Sequence, residues 1–207
     1  MKVPELAVPD FVVKVCGITR REDAVAAVDA GASALGFIFF PMSPRYVAPK
    51  TAGTLGAGLP VWKVGIFVNE GPAVIEAVME AAHLDIAQIY GGDAPPHARV
   101  WKAFRASEPF NAAAIKDCEA VLLDGAANGQ SFDWTIAREM KQQNPATRMI
   151  LAGGLDAANV GEAIRVAQPW GVDASSRLET SPGVKDHAKV RSFVQAALEA
   201  AREKEKP

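Results

Sequence analysis

Short apolar runs alternate with segments of helical spacing about eight times along this chain of 207 residues, and that alternation leaves few folds open. β-Branched and aromatic residues mark a strand over 11–15, and Gly17 permits a sharp exit from it. Thr19 stands as N-cap of a helix over 22–30, which Gly31 ends. Continuous apolar runs over 34–40 and 61–68 read as strands covered on both faces, with Pro41 closing the first. Helices follow them over 49–57 and 72–82. Strands over 85–90 and 99–104 come next, and 106–117 holds at most a short helix. A strand over 120–124 stops at Asp124, and a polar loop over 125–131 leads to a helix over 134–143. Strands over 148–152 and 171–175 enclose a helix over 157–167, and a long helix over 186–203 completes the pattern.

Eight strands, each followed by a crossover, in so compact a chain predict a closed (β/α)8 TIM barrel of eight parallel strands, a single α/β domain over 1–207. Residues 1–10 read as an N-terminal extension and 204–207 as the charged end of the last helix. The competing architecture is a doubly wound open sheet. It usually places Gly-x-Gly-x-x-Gly after its first strand, and here Gly17 stands alone.

Composition excludes several classes of function. Apolar residues make up 49% and charged residues 22%, and no apolar run reaches the ~18 residues of a membrane span. No apolar stretch of a secretory signal follows Lys2, so a cytoplasmic location is expected. The net charge is -2, with no basic cluster interleaved with aromatics, which argues against nucleic acid as a partner. Cys16 and Cys118 share no metal spacing, and His83, His97 and His187 are scattered, so neither a disulfide framework nor a metal site is expected. Trp62, Trp101, Trp134 and Trp170 read as packing residues.

In a parallel barrel every strand points its carboxyl end to one face, so Cys16, Phe39, Asp124, Gly153 and Ser175 are expected on one rim. Cys16 there is either a base or nucleophile, or a small buried hydrophobe. Asp124, ending an apolar strand, is either an acid kept protonated by low-dielectric walls or a turn-forming aspartate before Gly125. Gly153 and Gly154 either cradle an anion, with Ser175 and Ser176 adding hydroxyls and amides, or only turn the chain. Loops after the seventh and eighth strands commonly bind phosphate in this fold. If Cys16 is a base its pKa must be lowered, and Lys14, helix amides or substrate charge are the available means.

Six motifs occur in order: Lys14-Val15-Cys16-Gly17-Ile18-Thr19; Gly36-Phe37-Ile38-Phe39 with Ser43-Pro44-Arg45-Tyr46; Gly65-Ile66-Phe67-Val68-Asn69; Leu122-Leu123-Asp124 with Phe132-Asp133-Trp134; Ala152-Gly153-Gly154-Leu155; and Val172-Asp173-Ala174-Ser175-Ser176 with Ser181-Pro182-Gly183-Val184-Lys185-Asp186. Together they resemble the phosphoribosylanthranilate isomerases of tryptophan biosynthesis. That resemblance implies a cofactor-independent isomerase performing an Amadori rearrangement, in which N-(5-phosphoribosyl)anthranilate becomes 1-(2-carboxyphenylamino)-1-deoxyribulose 5-phosphate. It implies Asp124 as the acid on the ribose ring oxygen and Cys16 as the base at C2. Arg45 would face the anthranilate carboxylate, and Gly153, Gly154, Ser175 and Ser176 would hold the phosphate.

Three positions depart from the family pattern. Gln88-Ile89-Tyr90-Gly91 has tyrosine where the family usually has histidine; the loop over 125–131 is shorter than its Gly-rich counterpart; and Arg177 replaces the glycine after Ser175-Ser176, either pairing with phosphate or crowding it. Two other readings stand beside it: a different sugar-phosphate isomerase or epimerase, which Tyr90 and Arg177 favour and against which Arg45 speaks, and a non-catalytic barrel binding a phosphorylated metabolite or a protein partner, against which Cys16 and Asp124 speak. The expected partner is a small phosphorylated aminosugar, and the expected state a monomer or homodimer.

Overall fold

A computed structural model describes residues 6–107, 115, 117–125 and 133–204. Eight strands close into an all-parallel barrel: β1 (Val12–Val15), β2 (Ala34–Ile38), β3 (Trp62–Val68), β4 (Ile86–Tyr90), β5 (Val100–Arg105), β6 (Ala120–Asp124), β7 (Met149–Leu151) and β8 (Gly171–Ala174). Closure is made by β8 on β1, with Val12 opposite Gly171 and Lys14 opposite Asp173. The open-sheet alternative is thereby excluded.

The period-2 pleat explains why the strands read as unbroken apolar runs. Inward residues, among them Val12, Ala34, Val64, Ile86, Leu122 and Ile150, pack on one another inside the barrel. Their outward neighbours, such as Val13, Val15, Leu35, Phe67, Ile89 and Leu123, pack with residues of the surrounding helices. Those helices are α1 (Arg21–Ala30), α2 (Pro49–Gly56), α3 (Pro72–Ala82), α4 (Thr135–Gln143), α5 (Val160–Ala167) and α6 (His187–Lys204). At the amino ends of the strands, Trp62, Trp101 and Trp170 pack in edge-on and tilted pairs with ring centroids 6.1–6.2 Å apart, and the guanidinium groups of Arg99 and Arg148 cap Trp62 and Trp170. Leu6, in the stretch read as an N-terminal extension, packs against this inner cluster.

No helix lies between β4 and β5, where the sequence reading placed none: residues 91–99 form bends, turns and irregular chain, because Pro95 and Pro96 remove backbone donors and fix φ. Several expectations need correction. Thr19 is not a helix cap; its hydroxyl donates to the Gly183 carbonyl, and α1 starts from Arg20 without a side-chain cap. α5 begins at Val160 rather than 157, since Asp156 and Asn159 fold the preceding residues into a turn. Phe39 is not on the rim. It turns outward and stacks on Phe67 at 5.4 Å, while Ile38 and Phe40 face the mouth. A small antiparallel hairpin beyond β8, β9 (Glu179–Ser181) with β10 (Val184–Lys185), has no counterpart in the sequence reading. The loop expected over 125–131, apart from Gly125, most of 106–117, residues 1–5 and the end of the charged tail lie outside the described residues.

Candidate active site

The carboxyl ends of the strands open onto a cavity of about 800 Å3. Cys16, Arg45, Asp124, Gly153, Gly154, Ser175, Ser176 and Arg177 all line it, so the residues singled out from the sequence share one mouth.

Cys16 follows β1 on its inward face, 6% exposed. Gly36 on β2 leaves room for it: a Cβ there would stand 2.6 Å from the sulfur. Beneath the thiol, Lys14 is fully buried and its Nζ lies 2.8 Å from Asp173 Oδ2 across the seam between β1 and β8. Burial pushes the Cys16 thiol up, and Asp173 adds to the rise, while the ammonium groups of Lys14 and Lys185 oppose it. Burial wins. Lys14 supplies a thiolate-stabilising charge, yet the resting side chain is a thiol.

Asp124, the last residue of β6, has the opposite advantage. Burial raises its carboxyl above the ordinary aspartate value, against a hydrogen bond from Tyr90 that favours the ionised form. The Tyr90 hydroxyl donates to Asp124 Oδ2 at 3.0 Å, and Gln88 Nε2 lies 3.4 Å from the same phenol oxygen. Tyr90 is therefore a partner of Asp124. Its neighbour Gly153, at φ 94, has no alternative residue: a Cβ there would fall 2.3 Å from the Gly125 nitrogen and 3.2 Å from Asp124 Oδ1.

Beginning beside Asp124, the chain after β7 and β8 lines the next part of the mouth. Asn159 Nδ2 donates to the Gly154 carbonyl at 2.8 Å and holds that turn. Ser175 Oγ donates to the Cys16 carbonyl at 3.0 Å, tying the β8 end to the thiol-bearing segment. Arg177 reaches back to Asp156 at 3.5 Å and spans the two loops, so it borders the cavity without filling it. Arg45, after β2, lines the same cavity and is paired through Nε and Nη2 with both oxygens of Glu179, at 2.8 and 2.7 Å.

Sequence reasoning gave no role to Asp173 or Glu179. A signal for Asp173 existed: Lys14 and Asp173 are opposite charges in the middle of two apolar strands that barrel closure makes neighbours. Glu179 carried none, because its hairpin is too short to show alternation.

The family model described as "PRAI: N-(5'phosphoribosyl)anthranilate (PRA) isomerase" matches residues 13–196. The N-(5'-phosphoribosyl)anthranilate isomerase of Solibacter usitatus is 46% identical over 205 residues, covering 92% of this chain and 98% of the relative. That of Trichlorobacter lovleyi is 43% identical over 203 residues, covering 91% and 98%. Among solved structures, phosphoribosyl anthranilate isomerase from Thermotoga maritima superposes with a TM-score of 0.80 at 35% identity, covering 91% of this chain and 99% of that one. A phosphoribosyl anthranilate isomerase in complex with reduced 1-(o-carboxyphenylamino)-1-deoxyribulose 5-phosphate superposes with a TM-score of 0.77 at 34% identity, with the same coverage.

Proposed function

This chain belongs to the N-(5'-phosphoribosyl)anthranilate isomerase family, and we propose that it carries out the family's Amadori rearrangement with Asp124 as acid and Cys16 as base. The reaction converts N-(5-phosphoribosyl)anthranilate to 1-(2-carboxyphenylamino)-1-deoxyribulose 5-phosphate in tryptophan biosynthesis. It is an internal redox exchange. The sugar C2 is oxidised from alcohol to ketone while C1 is reduced from the imine to the amine level, so the balance needs no external oxidant.

Asp124 gives its proton to the ring oxygen, the C1–O bond breaks, and the nitrogen lone pair closes a protonated Schiff base. The Cys16 thiolate then takes the proton from C2. The released electron pair forms the C1–C2 double bond, and the former C1–N π pair returns to nitrogen. The enolamine tautomerises to the ketone. Acid and base act on different atoms of one bound sugar, which requires both to reach one cavity. The loops carrying Gly153, Gly154, Ser175, Ser176 and Arg177 receive the phosphate, and Arg45 receives the anthranilate carboxylate.

The single observation that carries this reading is the location of Cys16 and Asp124 in one cavity, where burial raises the carboxyl above the ordinary aspartate value. The working pair is thiolate with neutral acid. Because burial raises both groups, this form is a minor one whose population is constant between the two titrations, and kcat/KM should show a broad plateau. The test follows the loss of anthranilate fluorescence on freshly made substrate, with Cys16→Ala and Asp124→Asn expected to fall at least ~100-fold in kcat. Wild-type inactivity would overturn the activity, and undiminished variants the roles. No helix among the described residues is long and apolar enough to cross a membrane. A cytoplasmic location suits a phosphorylated substrate that does not cross bilayers.

A further inference from the structure

Glu179 lies outside the acid–base machinery, yet its carboxylate is almost fully buried at 4% exposure and takes three hydrogen bonds from charged groups. Two come from Arg45 in the side-on geometry, through Nε and Nη2. The third comes from Lys185 Nζ at 2.9 Å, itself 0% exposed and also 3.2 Å from the Ser175 carbonyl. The Gly183 amide adds a longer contact at 3.3 Å. Glu179 and Lys185 face each other across the β9–β10 hairpin, and Lys189 of α6 holds that hairpin through the Glu179 carbonyl at 3.0 Å.

A guanidinium offers two carboxylate-binding edges. Glu179 occupies the Nε/Nη2 edge of Arg45, a side chain of the cavity lining, while Nη1 has no hydrogen-bond partner among the described residues. The Arg45 stem is confined as well, because it runs over Gly17: a Cβ there would come within 2.6 Å of Arg45 Cδ. Charge completes the device. Arg45 with Glu179 alone would be neutral and would not attract an anion. Lys185, itself buried, leaves the triad, of which only Arg45 is partly exposed, with one net positive charge.

We infer that Glu179 and Lys185 are positioning residues for aryl-carboxylate recognition, Glu179 aiming the free end of Arg45 and Lys185 restoring the positive charge that Glu179 cancels. This rests on the reading of Arg45 as the residue that meets the anthranilate carboxylate.

The experiment compares kcat/KM for N-(5-phosphoribosyl)anthranilate with that for N-(5-phosphoribosyl)aniline, which lacks only the carboxylate, in wild type, Arg45→Ala, Glu179→Gln and Lys185→Met. The preference for the carboxylated substrate should fall about 10-fold or more in Glu179→Gln and in Lys185→Met, chiefly through KM. Glu179→Gln is the sharper variant, since it makes the triad more positive and yet should bind the carboxylate less well. A preference that rises or stays constant in Glu179→Gln overturns the positioning role. Proportional losses on both substrates also overturn it, because a folding defect does not distinguish them. If wild type and Arg45→Ala show the same preference, the Arg45 reading itself fails, and the roles of Glu179 and Lys185 fail with it.

Discussion

At the amino ends of the strands the barrel is filled by Trp62, Trp101 and Trp170, whereas at the carboxyl ends inward positions carry Cys16, Tyr90, Arg105 and Asp124. Between them the interior changes character within one layer, at Lys14, Gln88 and Asp173, all buried. The lower end is held by dispersion and burial of aromatic area. The upper end holds charges whose desolvation is offset only in part, as the raised pKa values of Cys16 and Asp124 record. Stability and reactivity are thus segregated along the barrel axis, and changes at the two ends should have different signatures.

The largest effect is expected at the bottom. Trp101→Ala, removing a fully buried indole, should lower unfolding stability by about 3–5 kcal/mol in a denaturant titration. The folded fraction should keep the wild-type pH–rate profile, and an altered profile would break the segregation. Lys14→Met tests the boundary layer. It leaves Asp173 buried without its cation and should cost about 3 kcal/mol. It should also push the Cys16 thiol further up, because Lys14 is the chief charge opposing burial; alkylation rates against pH report this directly.

Asp124→Asn should act in the opposite sense on stability. A carboxyl whose folded pKa is raised carries a penalty that is present in full above that folded value and absent below the unfolded one. The variant should therefore be more stable than wild type at neutral pH, while nearly inactive. The gain should vanish on acidification through the ordinary aspartate range, and a gain that persists at low pH would contradict the assignment. The smallest stability change, below ~1 kcal/mol, belongs to Tyr90→Phe. Loss of its hydrogen bond to Asp124 lets the carboxyl pKa rise, so the acid limb of kcat/KM should move to higher pH.

These contrasts also mark what could be read in advance. Strand existence and order were legible, because inward and outward faces are both apolar and each run is local. The rim was legible for Cys16, Asp124, Gly153 and Ser175, each directly after or at a strand end. Phe39 misled because the continuous apolar run over 34–40 hides which face a residue takes. A shift of one position sends it to the helices and Phe40 to the mouth. Tyr90 was legible as an unusual residue, but its bond to Asp124 spans 34 positions and depends on β4 and β6 converging at the mouth.

The amino-acid sequence alone determines the local terms of this protein: the alternation that commits it to parallel strands and crossovers, and the chemistry available at each strand end. Tertiary closure decides everything that depends on partners. Lys14 meets Asp173 only because β8 returns to β1, and Arg45 meets Glu179 across 134 positions only because their loops share one rim. The physical reason is that pKa values, charge pairing and side-chain aim are set by neighbours in space. Those neighbours arise from a ring closure that no local stretch of the chain encodes.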